Sequence, residues 1–308
     1  MAIRDFSDLQ REVFRLYNQG AYREALALID REAGRFPDYA PTFYFWRACL
    51  ACRADGADAG LRWLQAAAEE GLWYHERMLN DPDLAPLRGD PRFEPLLKLF
   101  RERWEAAQAV ARPVLRTYEP EGEPQGLLVA LHGASSGFEQ EEERARWTAA
   151  TAAGWRVALA QSSQVWGPGL YSWRDRDRAL AEVRAHLDSL GPHDPTVMAG
   201  FSMGAAVAMF GVLTGAFPAT RFLAVAPAIR LETFRPLLAE ARRDVRGYIL
   251  IGDGDWMFKE VQEFASAMRD AGLACELEVH PGLGHDFPTG FAADLPRRLA
   301  VLNSPRRT

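Results

Sequence analysis

Residues 196–208 read Thr-Val-Met-Ala-Gly-Phe-Ser-Met-Gly-Ala-Ala-Val-Ala, and this run constrains the fold more than any other part of the chain. Its first four residues suit a short buried strand, and the small residues after the second glycine suit a helix, with no breaker between them. A strand that turns directly into a helix brings the two backbones into close approach, and glycine permits that approach because it has no Cβ. The serine held between the glycines, Ser202, is then carried at the tip of the turn. Its hydroxyl stands clear of the sheet, with the first N–H groups of the helix beside it. Such a turn belongs to a mostly parallel sheet covered by helices, so an α/β architecture is expected for this portion of the chain.

The flanking sequence agrees. Short apolar runs at 127–131, 156–160, 196–200, 221–226, 247–251 and 275–280 alternate with helical patterns near 141–153, 177–190, 203–214, 231–243, 258–271 and 291–302. Val114 to Tyr118 reads as an added antiparallel edge strand. Upstream the texture differs: from Asp5 to Val110 the periodicity is helical throughout. Phe6, Leu9, Val13 and Tyr17 share one face, Gly20 ends that helix, and Tyr22, Ala25, Leu26, Ile29 and Ala33 form the next before Pro37. Phe43, Trp46 and Leu50, an Asp55-Gly56 turn, then Leu61, Leu64 and Ala68 repeat the pairing. Pro113, Pro120, Gly122 and Pro124 mark a break. The expected organisation is an all-α domain over 1–110, a linker with an edge strand over 111–126, and an α/β domain over 127–308.

Composition removes several function classes. With 42 Asp+Glu against 36 Lys+Arg the formal net charge is -6, so no nucleic-acid backbone is an expected partner. Three cysteines make no disulfide framework, the opening MAIRDFSDLQREVF holds no apolar run of signal-peptide length, and no uninterrupted apolar stretch downstream is long enough for a membrane span. A cytoplasmic, soluble protein is the expectation. Cys49-x-x-Cys52 lies inside a helical pattern with no second ligand pair, and neither a phosphate-binding nor a dinucleotide-binding glycine motif occurs. Neither metal nor organic cofactor is implied.

A serine is a weak nucleophile unless a histidine accepts its proton and an acid orients that histidine. After an elbow serine the acid comes next along the chain and the histidine last. Two aspartates, Asp253 and Asp255, follow the 247–251 strand; Asp255 has the better reach to an imidazole, and Asp253 is better placed to shape the turn. His285, in the glycine-rich stretch Pro281-Gly-Leu-Gly-His285, is preferred over His280, which ends the last strand. His132 reads as a loop residue, and His75, His186 and His193 as surface residues. His132-Gly133-Ala134 closes the 127–131 strand, where the Ala134 amide could join that of Met203 in holding an oxyanion. Ser135, Trp166, Trp173, Trp256 and Phe287 fall on expected loops at the same end of the sheet and are candidates for lining a substrate pocket.

With those four elements in order, the chain from about Pro113 onward resembles the α/β-hydrolase superfamily. It is nearest to single-domain serine esterases of the phospholipase/carboxylesterase and dienelactone-hydrolase type. Ser162-Ser-Gln-x-Trp166 and Tyr171-Ser-Trp-Arg-Asp175 resemble the loop such esterases place beside the pocket. Dienelactone hydrolases carry a cysteine at the elbow, where this chain has Ser202. The resemblance implies cleavage of a small-molecule carboxylic ester or thioester through an acyl-enzyme. Peptide-bond cleavage on the same fold is the alternative, as is a partner-binding protein built on an inactive hydrolase scaffold. Gly20-x-Tyr22-x-x-Ala25, Ile29 and Pro37 resemble part of a tetratricopeptide repeat. That pattern implies stacked helices, which either pack as an appendage or offer a surface to a second copy or another protein.

Overall fold

A computed structural model describes residues 3–304, which form two compact units. The first comprises the residues up to Ala111 together with Val165–Leu170. The second comprises Arg112–Gln164 and the residues from Tyr171 onward.

The first unit is helical. Its α-helices are α1 (Phe6–Asn18), α2 (Tyr22–Glu32), α3 (Ala40–Asp55), α4 (Ala57–Glu69), a single turn α5 (Glu76–Leu79) and α6 (Phe93–Val110). Asp5 caps α1 by accepting a hydrogen bond from the Asp8 amide. The apolar face expected of α1 is the one that packs: Phe6, Leu9 and Val13 meet Ala25, Leu28 and Ile29 of α2 and Phe43 and Leu50 of α3. Cys49 and Cys52 are buried free thiols on α3, and burial pushes the Cys52 thiol up to about 11.

One piece of this unit comes from far along the sequence. The Val165 carbonyl accepts from the Trp104 indole (3.1 Å), the Val165 amide donates to Gln108 (3.2 Å), and the Trp166 carbonyl accepts from the His75 amide (2.9 Å). The segment from Val165 to Leu170, expected within the α/β domain, therefore clusters with the helices. Its backbone is extended from Val165 to Gly167 and turns at Pro168 and Gly169, and the Val165 and Trp166 backbone groups find partners on α6 and at the start of α5.

The second unit holds a seven-stranded sheet: β1 (Val114–Tyr118), β2 (Leu127–Leu131), β3 (Arg156–Gln161), β6 (Thr196–Phe201), β7 (Arg221–Val225), β8 (Arg246–Gly252) and β9 (Ala274–His280). A two-stranded ribbon of β4 (Gln164–Gly167) and β5 (Leu170–Ser172), not anticipated from the sequence, separates β3 from β6 in chain order. The sheet order is β1-β3-β2-β6-β7-β8-β9, with β1 antiparallel to β3 and every other pair parallel.

Helices α7 (Glu141–Thr148), α8 (Arg176–Leu190), α9 (Ser202–Leu213), the short α10 (Leu231–Phe234) and α11 (Leu237–Glu240), α12 (Phe258–Asp270) and α13 (Phe291–Asn303) connect the strands. Pro236 divides the single helix expected over 231–243 into α10 and α11, since its ring cannot continue the hydrogen-bond ladder. Both faces of the central strands are covered. Leu127, Val129 and Leu131 pack into one core with α8, α9 and α12, while Leu128 and Ala130 pack into the other with Trp147 and α13. That is why β2 reads as an unbroken apolar run, buried at all five positions.

Candidate active site

The elbow is built by backbone crowding. A Cβ on Gly200 would lie 2.6 Å from the Ala205 amide nitrogen, and one on Gly204 would strike the carbonyl oxygens of Leu131 and His132. Only glycine at both positions lets β6 turn into α9 while α9 lies against the end of β2. Ser202 itself has φ 53°, a left-handed conformation costing a serine roughly 1–3 kcal/mol. Its carbonyl is held by the Ala228 amide at 3.1 Å, which helps fix the turn.

Two further strand ends converge on the Ser202 hydroxyl. His285 lies in the loop after β9, and its Nε2 is 2.8 Å from Ser202 Oγ. Its Nδ1 is 2.8 Å from Oδ2 of Asp255, in the loop after β8. The Asp255 side chain is wholly buried, and its Oδ1 accepts from the Met257 amide at 2.8 Å. Both carboxylate oxygens are thus committed, one to the ring and one to backbone, which fixes the ring's orientation. Asp253 does different work: its Oδ1 accepts from the Gly282 amide (2.7 Å) and ties the aspartate loop to the histidine loop. The Gly254 amide adds a second tie to the Leu283 carbonyl at 3.0 Å. His280 ends β9 beside Glu278, 2.9 Å away.

Ala134 and Met203 stand at the meeting of β2 and α9, Ala134 exposed in the loop after β2 and Met203 in the first turn of α9. The loop carrying Ala134 has support that sequence reading missed. His132, expected in a loop, is only 1% exposed. The Ser162 amide donates to its Nε2 (3.2 Å), so its Nδ1 carries the proton and donates to the Gly133 carbonyl (2.7 Å). Burial drives its pKa down to about 4 and keeps the ring neutral. Ser162 and Ser163 are in turn held by Glu182 of α8, whose Oε2 accepts from the Ser163 amide at 3.1 Å. A serine pair after a buried strand carries no local pattern that points to an acid on the next helix, so this support was not legible.

The five candidate pocket residues separate. Ser135 is exposed beside Ala134, with φ 53°. Trp256 is 72% exposed, and its ring centroid lies 5.3 Å from that of His285. Phe287 is buried, stacked on Phe201 at 4.6 Å; Phe201 in turn lies 5.2 Å from the His285 ring. Trp173 is buried against His132, ring on ring, and its indole donates to the His132 carbonyl at 2.9 Å. It braces the loop from behind and presents no surface to a ligand. Trp166 belongs to the first unit, stacked on His75 at 4.5 Å. Neither tryptophan joins the group around Ser202, because each found a histidine partner that only the tertiary structure brings near.

Among the described residues, one group of side chains has metal-ligand spacing: Cys49, Asp81 and Asp83, in the first unit. The Asp83 carboxylate accepts from Tyr17 and lies 3.5 Å from Arg53, while Asp81 accepts from the Asp83 amide. These contacts account for both acids without an ion. Among the described residues, no helix is long and apolar enough to cross a membrane.

Comparison with known proteins supports this reading of the fold. Residues 5–108 match the family described as A/B hydrolase-like, N-terminal domain. The tetratricopeptide-like pattern rests on its own residues, since this match carries a different description. A chloroplastic protein of Arabidopsis thaliana is 32% identical over 102 residues, covering 32% of this chain and 30% of that protein. The chain therefore spans under a third of the curated relative it matches. An uncharacterized protein from Bacillus cereus ATCC 10987 aligns over 97% of this chain and 99% of its own at 24% identity, with a TM-score of 0.54. Esterase PE8 aligns over 62% of this chain and 100% of its own at 20% identity, with a TM-score of 0.53. The second unit has the α/β-hydrolase fold, with a helical unit ahead of it.

Proposed function

We propose that this α/β-hydrolase-fold chain is a serine hydrolase that cleaves a carboxylic ester or thioester through an acyl-enzyme on Ser202. One observation carries the reading: the unbroken series from Ser202 Oγ to His285 to the buried Asp255, with both links at 2.8 Å. Ser202 attacks the carbonyl carbon as His285 Nε2 takes its proton. Asp255 holds the tautomer that leaves Nε2 free to accept, and its charge stabilises the imidazolium that forms. Negative charge gathers on the carbonyl oxygen, where the amides of Ala134 and Met203 are the donors; one such donor is worth roughly 3 to 4 kcal/mol. His285 then gives its proton to the departing alkoxide or thiolate. Water repeats the sequence in reverse to release the acid and free Ser202.

Hydrolysis of p-nitrophenyl esters from acetyl to dodecanoyl tests the reading, with Ser202→Ala beside the parent. The parent turns over the short esters, and the variant loses about 10⁶ in kcat. A folded parent that cleaves none of them and takes up no fluorophosphonate would overturn it. The helical unit would then be the place to seek the function. The same panel extended to peptide p-nitroanilides separates ester from peptide cleavage by the same triad.

A further inference from the structure

Among the described residues of the second unit, Trp256 is the exposed large aromatic side chain, and it lies next to Asp255 in sequence and beside His285 in space. An indole with 72% of its surface open to solvent contributes little to packing. The neighbouring Met257 is buried and Asp255 is wholly occupied by its own hydrogen bonds, so the backbone that presents Trp256 is held firmly. The two rings are tilted 38° to each other with centroids 5.3 Å apart. The indole therefore borders the imidazole, while Gly133, just before Ala134, lies close to Ser202: a Cβ there would stand 3.7 Å from the Ser202 Cβ.

Reaction chemistry gives the indole's place beside the imidazole a meaning. Once Ser202 has added to the carbonyl carbon, the C–O bond to the alcohol breaks as His285 Nε2 delivers its proton to that same oxygen. The alcohol portion of an ester must therefore lie on the histidine's side of the site. The acyl portion stays on the Ser202 side with its oxygen toward the oxyanion donors. We infer that Trp256 is a specificity-determining platform for the alcohol portion, and that the preferred substrates are esters of an alcohol bearing a planar aromatic group. A ring one or two bonds from the ester oxygen can stack on the indole while that oxygen stays within reach of Nε2. Offset stacking of aromatic rings contributes beyond the area it covers, enough for roughly 10-fold in specificity. This inference rests on the ester-hydrolase reading and adds the class of alcohol to it.

The experiment uses the full chain, three acetate esters that share one acyl group (ethyl, cyclohexylmethyl and benzyl acetate) and benzyl butanoate as the acyl-chain control. Parent, Trp256→Ala and Trp256→Phe are each assayed for kcat/KM, and each is labelled with a fluorophosphonate. Benzyl acetate is expected to exceed cyclohexylmethyl acetate about 10-fold in the parent. That ratio falls to near unity in Trp256→Ala and is partly kept in Trp256→Phe, while the ratio of acetyl to butanoyl benzyl esters stays as in the parent. A parent that labels and hydrolyses all three esters with no benzyl preference overturns the platform and leaves the hydrolase reading standing. So does a benzyl preference that survives in Trp256→Ala, or an acyl-chain ratio that changes in place of the alcohol ratio. A parent that neither labels nor hydrolyses any ester overturns both.

Discussion

His132 shows how a single residue can matter to the site without facing it. Its neutral ring ties the Gly133 carbonyl to the Ser162 amide, and Trp173 closes over it. In the unfolded chain the same imidazole titrates near 6.5; in the folded protein it titrates near 4. Between those values the unfolded state binds one proton more than the folded state. The contribution is therefore complete above pH 6.5 and lost progressively as pH falls to about 4, amounting to on the order of 3 kcal/mol. Urea unfolding measured from pH 7 to pH 4 should show that loss. His132→Gln, which keeps an acceptor for the Ser162 amide, should remove this part of the pH dependence. Identical pH slopes in the two proteins would rule the account out. From sequence alone His132 was a residue in a turn, because its burial depends on Trp173 and Ser162, which come from separate loops. Ser202 was legible for the opposite reason: the crowding that demands Gly200 and Gly204 arises within one strand-turn-helix.

At the scale of elements, α7 braces the loop that carries His285. Arg146 projects from α7 with a side chain only 12% exposed, and its guanidinium lies 4.5 Å from the Phe287 ring centroid. Burial alone would work against the charge, but Glu143, Glu142 and Asp286 more than offset it and hold the pKa above its ordinary value. Phe287 in turn stacks on Phe201, whose ring centroid lies 5.2 Å from that of His285, so one cation and two rings form a series that ends at the imidazole. Arg146→Ala should lower kcat by roughly 10-fold or more through a misplaced imidazole, with KM nearly unchanged; Arg146→Lys should recover part of the loss. Equal kinetics in all three proteins would show that the loop holds itself. The elements themselves were largely legible, since strands buried on both faces read as short unbroken apolar runs and helices with one apolar stripe announce themselves by period. The β4–β5 ribbon did not, because four residues and three residues are too few to establish an alternation.

For the molecule as a whole, the division into two units is clear in sequence texture except at one place. Proline and glycine after Val110 mark the first boundary, but nothing in Val165–Leu170 sets it apart from the loop around it. Its membership in the first unit follows from hydrogen bonds to Trp104, Gln108 and His75, residues at least 57 positions away. A fragment beginning at Arg112 would carry Val165 and Trp166 without those partners. It is expected to unfold at lower temperature than the full chain and to aggregate through the uncovered indole, as differential scanning calorimetry and light scattering would register. A fragment as stable as the full chain would show that the segment finds equivalent cover in the second unit.

The order in which the chain is made gives the same segment another significance. On the ribosome the six helices of the first unit emerge before any strand of the sheet, yet the stretch that satisfies the Trp104 indole is translated only after β3. The helical unit therefore cannot reach its final hydrogen-bonded state as an independent nascent domain, and its completion is timed by synthesis of its neighbour.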